Sequence, residues 1–389
     1  MRKWLCLLLA MLILAVAIPL AGVGCAEKET YKVGAIVAES GVNASLGTPE
    51  AQTLEMMEKQ INDDGGINGH KLDVIIYDTK SDSNECALLT TRLIEQDEVL
   101  AIIGPSSTGE TMLIKPTIDE NDIPLVSLAA GATIVAAPQN EWVFKTPQSD
   151  VLAVRELYKY IKDVKGFTKI AILTDTGGFG KGGKAFLESE AAGYGITIVA
   201  NETFDPTGTD MTAQLTNIKN TTAQAFVCWT TSAGAAVVAK NRTDLNMTMP
   251  LFCSHGVANM TFINNDSGSA NGVIFPAGKL LVADQLDDTD PQKAVLLKYK
   301  TDFEAEYSGK TADTFGGHAY DALNVVVEAL KEVGPDKAKI RDYIENEITD
   351  WPGTGGVFNM SPDDHNGLTE GCFIMVEIKN GEWSWLKPS

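Results

Sequence analysis

Residues 173–185 read LTDTGGFGKGGKA, and two patterns of phosphate chemistry overlap there. Gly178, Gly180 and Gly183 have the G-x-G-x-x-G spacing that lets a backbone approach a dinucleotide, while Gly178 to Lys184 have the G-x-x-x-x-G-K spacing of a triphosphate loop. Neither is complete. A triphosphate loop needs a Ser or Thr after its lysine to hold magnesium, and Ala185 stands there. A dinucleotide site needs an acidic residue at the end of the next strand; Glu202 lies near that place, but the Thr/Asp-rich loop around it gives no further support. What remains is a glycine-rich turn that holds Phe179 either as an aromatic wall for some other ligand or as part of an ordinary tight turn.

A second loop, Ile103-Gly104-Pro105-Ser106-Ser107-Thr108-Gly109, ends a strand and opens a helix. Unpaired NH groups and hydroxyls at a helix N-terminus suit a carboxylate. The same Ser107 or Thr108 would equally serve as a cap for the helix itself. The four histidines, His70, His255, His318 and His365, are scattered, so no metal site is expected. Beyond Cys25 the cysteines are Cys86, Cys228, Cys253 and Cys372, too far apart for a disulfide framework; buried thiols are expected, with Cys228–Cys253 as the one plausible bridge. Ser361 to Gly367 lacks the alternating carboxylates of a calcium loop and reads as a turn. No nucleophile with a base and an orienting acid is visible, so a binding protein without cofactor is expected rather than an enzyme.

The elements that must position these loops alternate. Apolar runs at 32–38, 72–77, 99–103 and 124–127 read as strands, with helical periodicity at 53–62 and 86–96 between them. The pattern restarts at 169–174, 196–200, 225–229 and 251–254, with helices at 209–219 and 233–241. Ser149 is placed to cap a linking helix over 151–161. Long helices at 292–307 and 319–333 and a hairpin around 373–378 and 383–385 complete the chain. Such alternation predicts an α/β fold of two doubly wound parallel-sheet lobes, and ligands of such sheets bind at the strands' carboxyl ends.

The N-terminus and the charge set the compartment. Arg2 and Lys3 precede an apolar run from Leu5 to Val23, the layout of an export signal, so residues 1–25 read as a signal peptide. Cys25 after Gly22-Val23-Gly24 is a candidate lipidation site, with an uncleaved anchor or simple release as alternatives. Of 389 residues 31 are basic and 52 acidic; losing Arg2 and Lys3 leaves 29 against 52, a formal charge of −23. That excess argues against nucleic acid or an anionic lipid surface as partner. Membrane contact is expected only through the N-terminal anchor.

Taken together, Asp64-Gly65-Gly66-Ile67-Asn68-Gly69, Ile103 to Thr108, Ile123-Pro124-Leu125-Val126-Ser127, Phe179-Gly180-Lys181-Gly182, Gly256-Val257-Ala258-Asn259 and Phe315 to Ala322 resemble the type I periplasmic binding proteins. The likeness covers 31–389 and points to the branched-chain amino acid and amide branch that feeds ABC transporters. It implies lobes of 31–148 plus 279–347 and of 149–278 plus 348–389, joined by a three-strand hinge. It also implies an extracytoplasmic component that closes on a small carboxylate and presents it to an ABC transporter permease.

Carried onto this sequence, the resemblance makes Thr108, with Ser107 beside it, the carboxylate contact, and Ala129, with Ala130 and Gly131, the segment whose carbonyl takes an amino group. Phe179 closes over the ligand and Thr231-Ser232 add a contact. Three positions depart from the family. His255 stands where leucine-type members have a Glu for the ligand ammonium, Leu46 where a Tyr is usual, and Gly131 where a Thr is common. A buried ammonium without a carboxylate is costly. His255, Leu46 and Phe179 therefore also suit an aromatic carboxylate, Asp321 is the one acid that could restore the missing charge, and a ligand-sensing receptor module is a further alternative.

Overall fold

The computed structural model describes residues 28–137, 140–231, 233–265 and 268–387; the expected signal, Cys25 and Ser232 lie outside them. The first half runs β1 (Tyr31–Val37), α1 (Ala44–Asp63), β2 (Leu72–Asp78), α2 (Ser83–Glu95), β3 (Ile102–Ile103), α3 (Thr108–Glu120), β4 (Leu125–Ser127) and β5 (Val143–Lys145). The second runs α4 (Asp150–Lys159), β6 (Lys169–Asp175), α5 (Gly178–Ala191), β7 (Thr197–Phe204), α6 (Thr212–Lys219), β8 (Ala225–Trp229), α7 (Gly234–Asp244), β9 (Leu251–Cys253), α8 (Met260–Asn265) and β10 (Ile274–Ala277). The chain then returns through α9 (Lys293–Glu306), α10 (Thr314–Val333) and α11 (Lys337–Glu347) to four short strands, β11 (Trp351–Pro352), β12 (Val357–Phe358), β13 (Ile374–Lys379) and β14 (Glu382–Trp385).

Two sheets result. The first has the order β2-β1-β3-β4-β5 and is parallel throughout. In the second, β7-β6-β8-β9-β10 repeat that parallel order, and β13 and β14 extend it antiparallel. Helices cover parallel sheets on both faces, so inner strands become continuous apolar runs; all five residues of β8 are buried. The strand order reverses between β1 and β3 in one sheet and between β6 and β8 in the other. A crevice opens at each reversal, and the loops leaving those four strands, with the first turns of the helices they enter, carry Leu46, Ser106 to Thr108, Phe179 and Thr231.

Several expectations shift. Helix α1 begins at Ala44, before the periodic stretch at 53–62, and runs through Pro49, whose missing NH falls near the start where few bonds lie upstream. Those extra turns carry Leu46. Ser149 does not cap α4 with its side chain; the hydroxyl instead accepts from Lys145 Nζ at 2.9 Å and donates to Asn366 Oδ1 at 2.8 Å. Cys228 and Cys253 are register partners on β8 and β9, and they, Cys86 and Cys372 are buried free thiols.

The expected division of the chain at residue 347 is corrected as well. Residues 351–366 bond to elements flanking the first sheet: Trp351 Nε1 to Glu328 at 3.1 Å, Thr354 to Asp321, and the His365 ring to Val143 O and Glu345. Only from Ile374 does the chain pair into the second sheet. The three passages between the sheets lie together, since Gln148 Nε2 donates to Gly355 O at 2.8 Å and a Cβ on Gly278 would stand 2.6 Å from that same nitrogen.

Candidate functional site

Where the carboxyl ends of the two sheets face each other, a narrow cavity with about 20 Å³ open to a water molecule is walled by residues from both. The first lobe contributes Leu46, Ser106, Ser107, Thr108, Leu128, Ala130 and Pro147, with Thr314, Phe315 and His318 from the first turns of α10. The second contributes Phe179, Thr231, His255 and Gly256. Of the residues singled out in the sequence, Leu46, Ser107, Thr108, Ala130, Phe179, Thr231 and His255 thus come to one place.

Ser107 and Thr108 are neighbours with different duties. The Ser107 hydroxyl donates to Glu110 Oε2 at 2.6 Å and accepts from Glu110 N at 3.3 Å, a side-chain cap at the start of α3. Thr108 Oγ1 accepts from Gly131 N at 3.2 Å, and its own proton is committed to none of the described residues. Gly131 is required there, because a Cβ on it would lie 2.4 Å from the Thr108 methyl. Ala129 and Gly131 therefore stand behind the wall rather than in it, and Ala130 lines it.

The Ala130 carbonyl is already occupied. It accepts from Lys145 Nζ at 3.0 Å and from Asp150 N at 3.3 Å, which fills both lone pairs. Burial lowers the Lys145 ammonium to about 8, so it stays charged at neutral pH, while burial raises Asp150 to about 6. The second lobe adds an aromatic corner: Phe179 stacks on Trp229 with centroids 5.6 Å apart, and His255 meets the edges of Phe179 at 5.3 Å and Trp229 at 5.9 Å. Neither ring nitrogen of His255 has a hydrogen-bond partner among the described residues, nor have His318 Nδ1 and Thr314 Oγ1. Burial, then the positive field of Lys145, holds both imidazoles down to about 3, so both are neutral.

Asp321 does not face this cavity. One of its oxygens accepts from Thr354 N at 2.7 Å, and the other from Thr354 Oγ1 at 3.0 Å and Gly355 N at 2.7 Å. Its expected role as the ligand's missing charge is corrected to that of a clamp on the 353–356 loop beside the hinge. Sequence reasoning missed Thr314 and His318, because a histidine inside a uniformly buried helix reads as core. The available signal was Gly316-Gly317 just before it: a Cβ on Gly316 would stand 2.1 Å from Tyr299 Oη, so the pair lets the start of α10 pack close.

No helix among the described residues is long and apolar enough to cross a membrane. A family model described as periplasmic binding protein matches residues 30–382. The Leu/Ile/Val-binding protein homolog 3 of Brucella melitensis is 22% identical over 314 residues, covering 80% of this chain and 82% of that protein. An extracellular ligand-binding receptor from Rhodopseudomonas palustris HaA2 superposes with a TM-score of 0.86 at 25% identity, covering 92% of this chain and 100% of that one. A solute-binding protein of an ABC transporter from Rhodopseudomonas palustris BisB5, solved with 3,4-dihydroxybenzoic acid, has a TM-score of 0.77 at 19% identity over 92% of this chain and 95% of that one. These relatives are binding proteins by name, and with a matching model over nearly the whole described chain the protein belongs to the type I periplasmic binding proteins of the branched-chain amino acid family, an extracytoplasmic solute-binding protein and not an enzyme.

Proposed function

We propose that this protein is the binding component of an ABC importer and that it closes on a small carboxylate that carries no ammonium group. One observation carries the reading: among the described residues no Asp or Glu lines the cavity, while the buried Lys145 ammonium stands behind it. Glu50, which accepts the Ser106 hydroxyl behind the wall, is pushed well above the usual carboxylate range by burial. The Thr108 hydroxyl and the N-termini of α3 and α5 supply the anion contact. Leu46, Leu128, Phe179 and Phe315 offer an apolar wall to the body of such a ligand. The fold accommodates an aromatic acid in the Rhodopseudomonas palustris BisB5 neighbour.

The wall comes from both lobes, so a ligand gains its full set of contacts only when they close, and binding shifts the open–closed equilibrium. Closure is the state a permease would read. A thermal-shift screen of amino acids, aliphatic acids and aromatic acids tests the ligand class, because a ligand of the native state raises the melting temperature with its occupancy. Stabilisation by carboxylates and not by their α-amino analogues is expected. Tight leucine binding would overturn the reading.

A further inference from the structure

The cavity contains polar atoms that a carboxylate alone cannot satisfy. His255 is 5% exposed and His318 3%, both line the cavity, and His255 Nδ1 and Nε2, His318 Nδ1 and Thr314 Oγ1 have no hydrogen-bond partner among the described residues. A neutral imidazole carries one N–H and one bare nitrogen, whichever tautomer it adopts. The N–H can be answered by an oxygen lone pair. The bare nitrogen needs a donor, and an ionised carboxylate has none. Buried polar groups left unpaired each cost on the order of 1–3 kcal/mol, so a ligand that answers both halves is strongly preferred.

Two ligand groups could donate to that bare nitrogen, an ammonium or a hydroxyl. A ligand ammonium would meet the positive field of the buried Lys145, which, after burial, also helps hold His255 and His318 neutral. A hydroxyl is neutral and both donates and accepts. From this geometry we infer that the ligand is a hydroxylated carboxylate, its acid held at Thr108 of one lobe and its hydroxyl read by His255 of the other, with His318 and Thr314 lining the same cavity. The inference rests on the proposed carboxylate reading and narrows it.

The test is calorimetric titration of the full mature chain with matched sets: benzoate, its ortho-, meta- and para-hydroxy derivatives and their methyl ethers, then isocaproate against its α-hydroxy form. In at least one set the hydroxylated acid should bind about tenfold or more tightly than its parent, the effect of one buried hydrogen bond made or left unmade. Its methyl ether, which accepts but cannot donate, should lose that gain. His255→Phe should bring the ratio of hydroxylated acid to parent close to one, whatever its effect on the parent's own affinity; should that variant fail to fold, the ether series on the native protein decides alone. Parents or ethers that bind as tightly as every hydroxylated acid overturn the inference and leave the carboxylate reading standing. Leucine binding tightly while no carboxylate binds overturns both.

Discussion

Gly178, the first residue of α5, faces Gly109 in the first turn of α3 so closely that a Cβ on Gly178 would stand 2.8 Å from the Gly109 nitrogen. The contact joins the two lobes beside the cavity, so parting the lobes would break it. Gly178→Ala should leave each lobe intact, since alanine favours a helix over glycine, yet it should hold the lobes apart because the obstructing atoms are backbone. Ligand affinity should fall by about tenfold or more, and small-angle scattering with saturating ligand should show a larger radius than the native complex. Unchanged affinity would remove this contact from the closure mechanism.

Thr108 and Ser107 should separate binding from folding. Thr108→Val keeps the shape but removes the hydroxyl, so carboxylate affinity should drop by about tenfold, or about 1.4 kcal/mol, through loss of a charge-assisted hydrogen bond. Ser107→Ala breaks the cap that holds Glu110 N and should cost about 1 kcal/mol of stability with little change in affinity. Calorimetry and denaturant unfolding on both variants would expose the reverse assignment.

The two histidines set the pH behaviour. Each is held at about 3 in the folded protein against an ordinary value of 6.5, so between those values the unfolded chain binds more protons. Their contribution to stability therefore rises with pH through that window and is complete above it. Asp150, Asp313 and Asp321 are raised by burial to about 6, 7 and 7, so their contribution falls as pH rises from about 4 and the total curve is mixed. The difference between native protein and His255→Gln isolates one histidine: the native protein's pH slope below 6.5 should be the steeper. Between pH 7.5 and 5.5 Lys145 and Asp150 gain protons while neither imidazole does, so any change in carboxylate affinity should be the same in the native protein and in His255→Gln; a difference between the two would show that the imidazole titrates there.

Much of this was legible in the residues. The five-residue run Ala225–Trp229 could only be an inner strand, and the loops bearing Thr108 and Phe179 announced themselves as strand-to-helix turns with glycines where backbones approach. The illegible parts were those that depend on partners distant in the chain. Pro276 disguised β10, whose partners β9 and β13 arrive from either side. Ser149 carries a capping residue's signature, yet a buried lysine and Asn366 claim its hydroxyl. His318 looks like any core residue of α10 until residues from the other lobe close the cavity over it.

Asp321 gives the sharpest contrast between the two kinds of reading. A carboxylate near the pocket in the sequence's family frame invites the role of ammonium partner, but three donors from Thr354 and Gly355 consume its oxygens, and Gly355 O in turn holds Gln148 in the neighbouring hinge passage. Asp321→Asn keeps the shape but turns one acceptor into a donor that faces an NH group. It should destabilise the protein by about 1–3 kcal/mol, the cost of a buried polar mismatch, without altering the relative affinities of carboxylates and amino acids. A change in ligand preference with stability intact would return Asp321 to the binding site and require the cavity's charge to be redrawn.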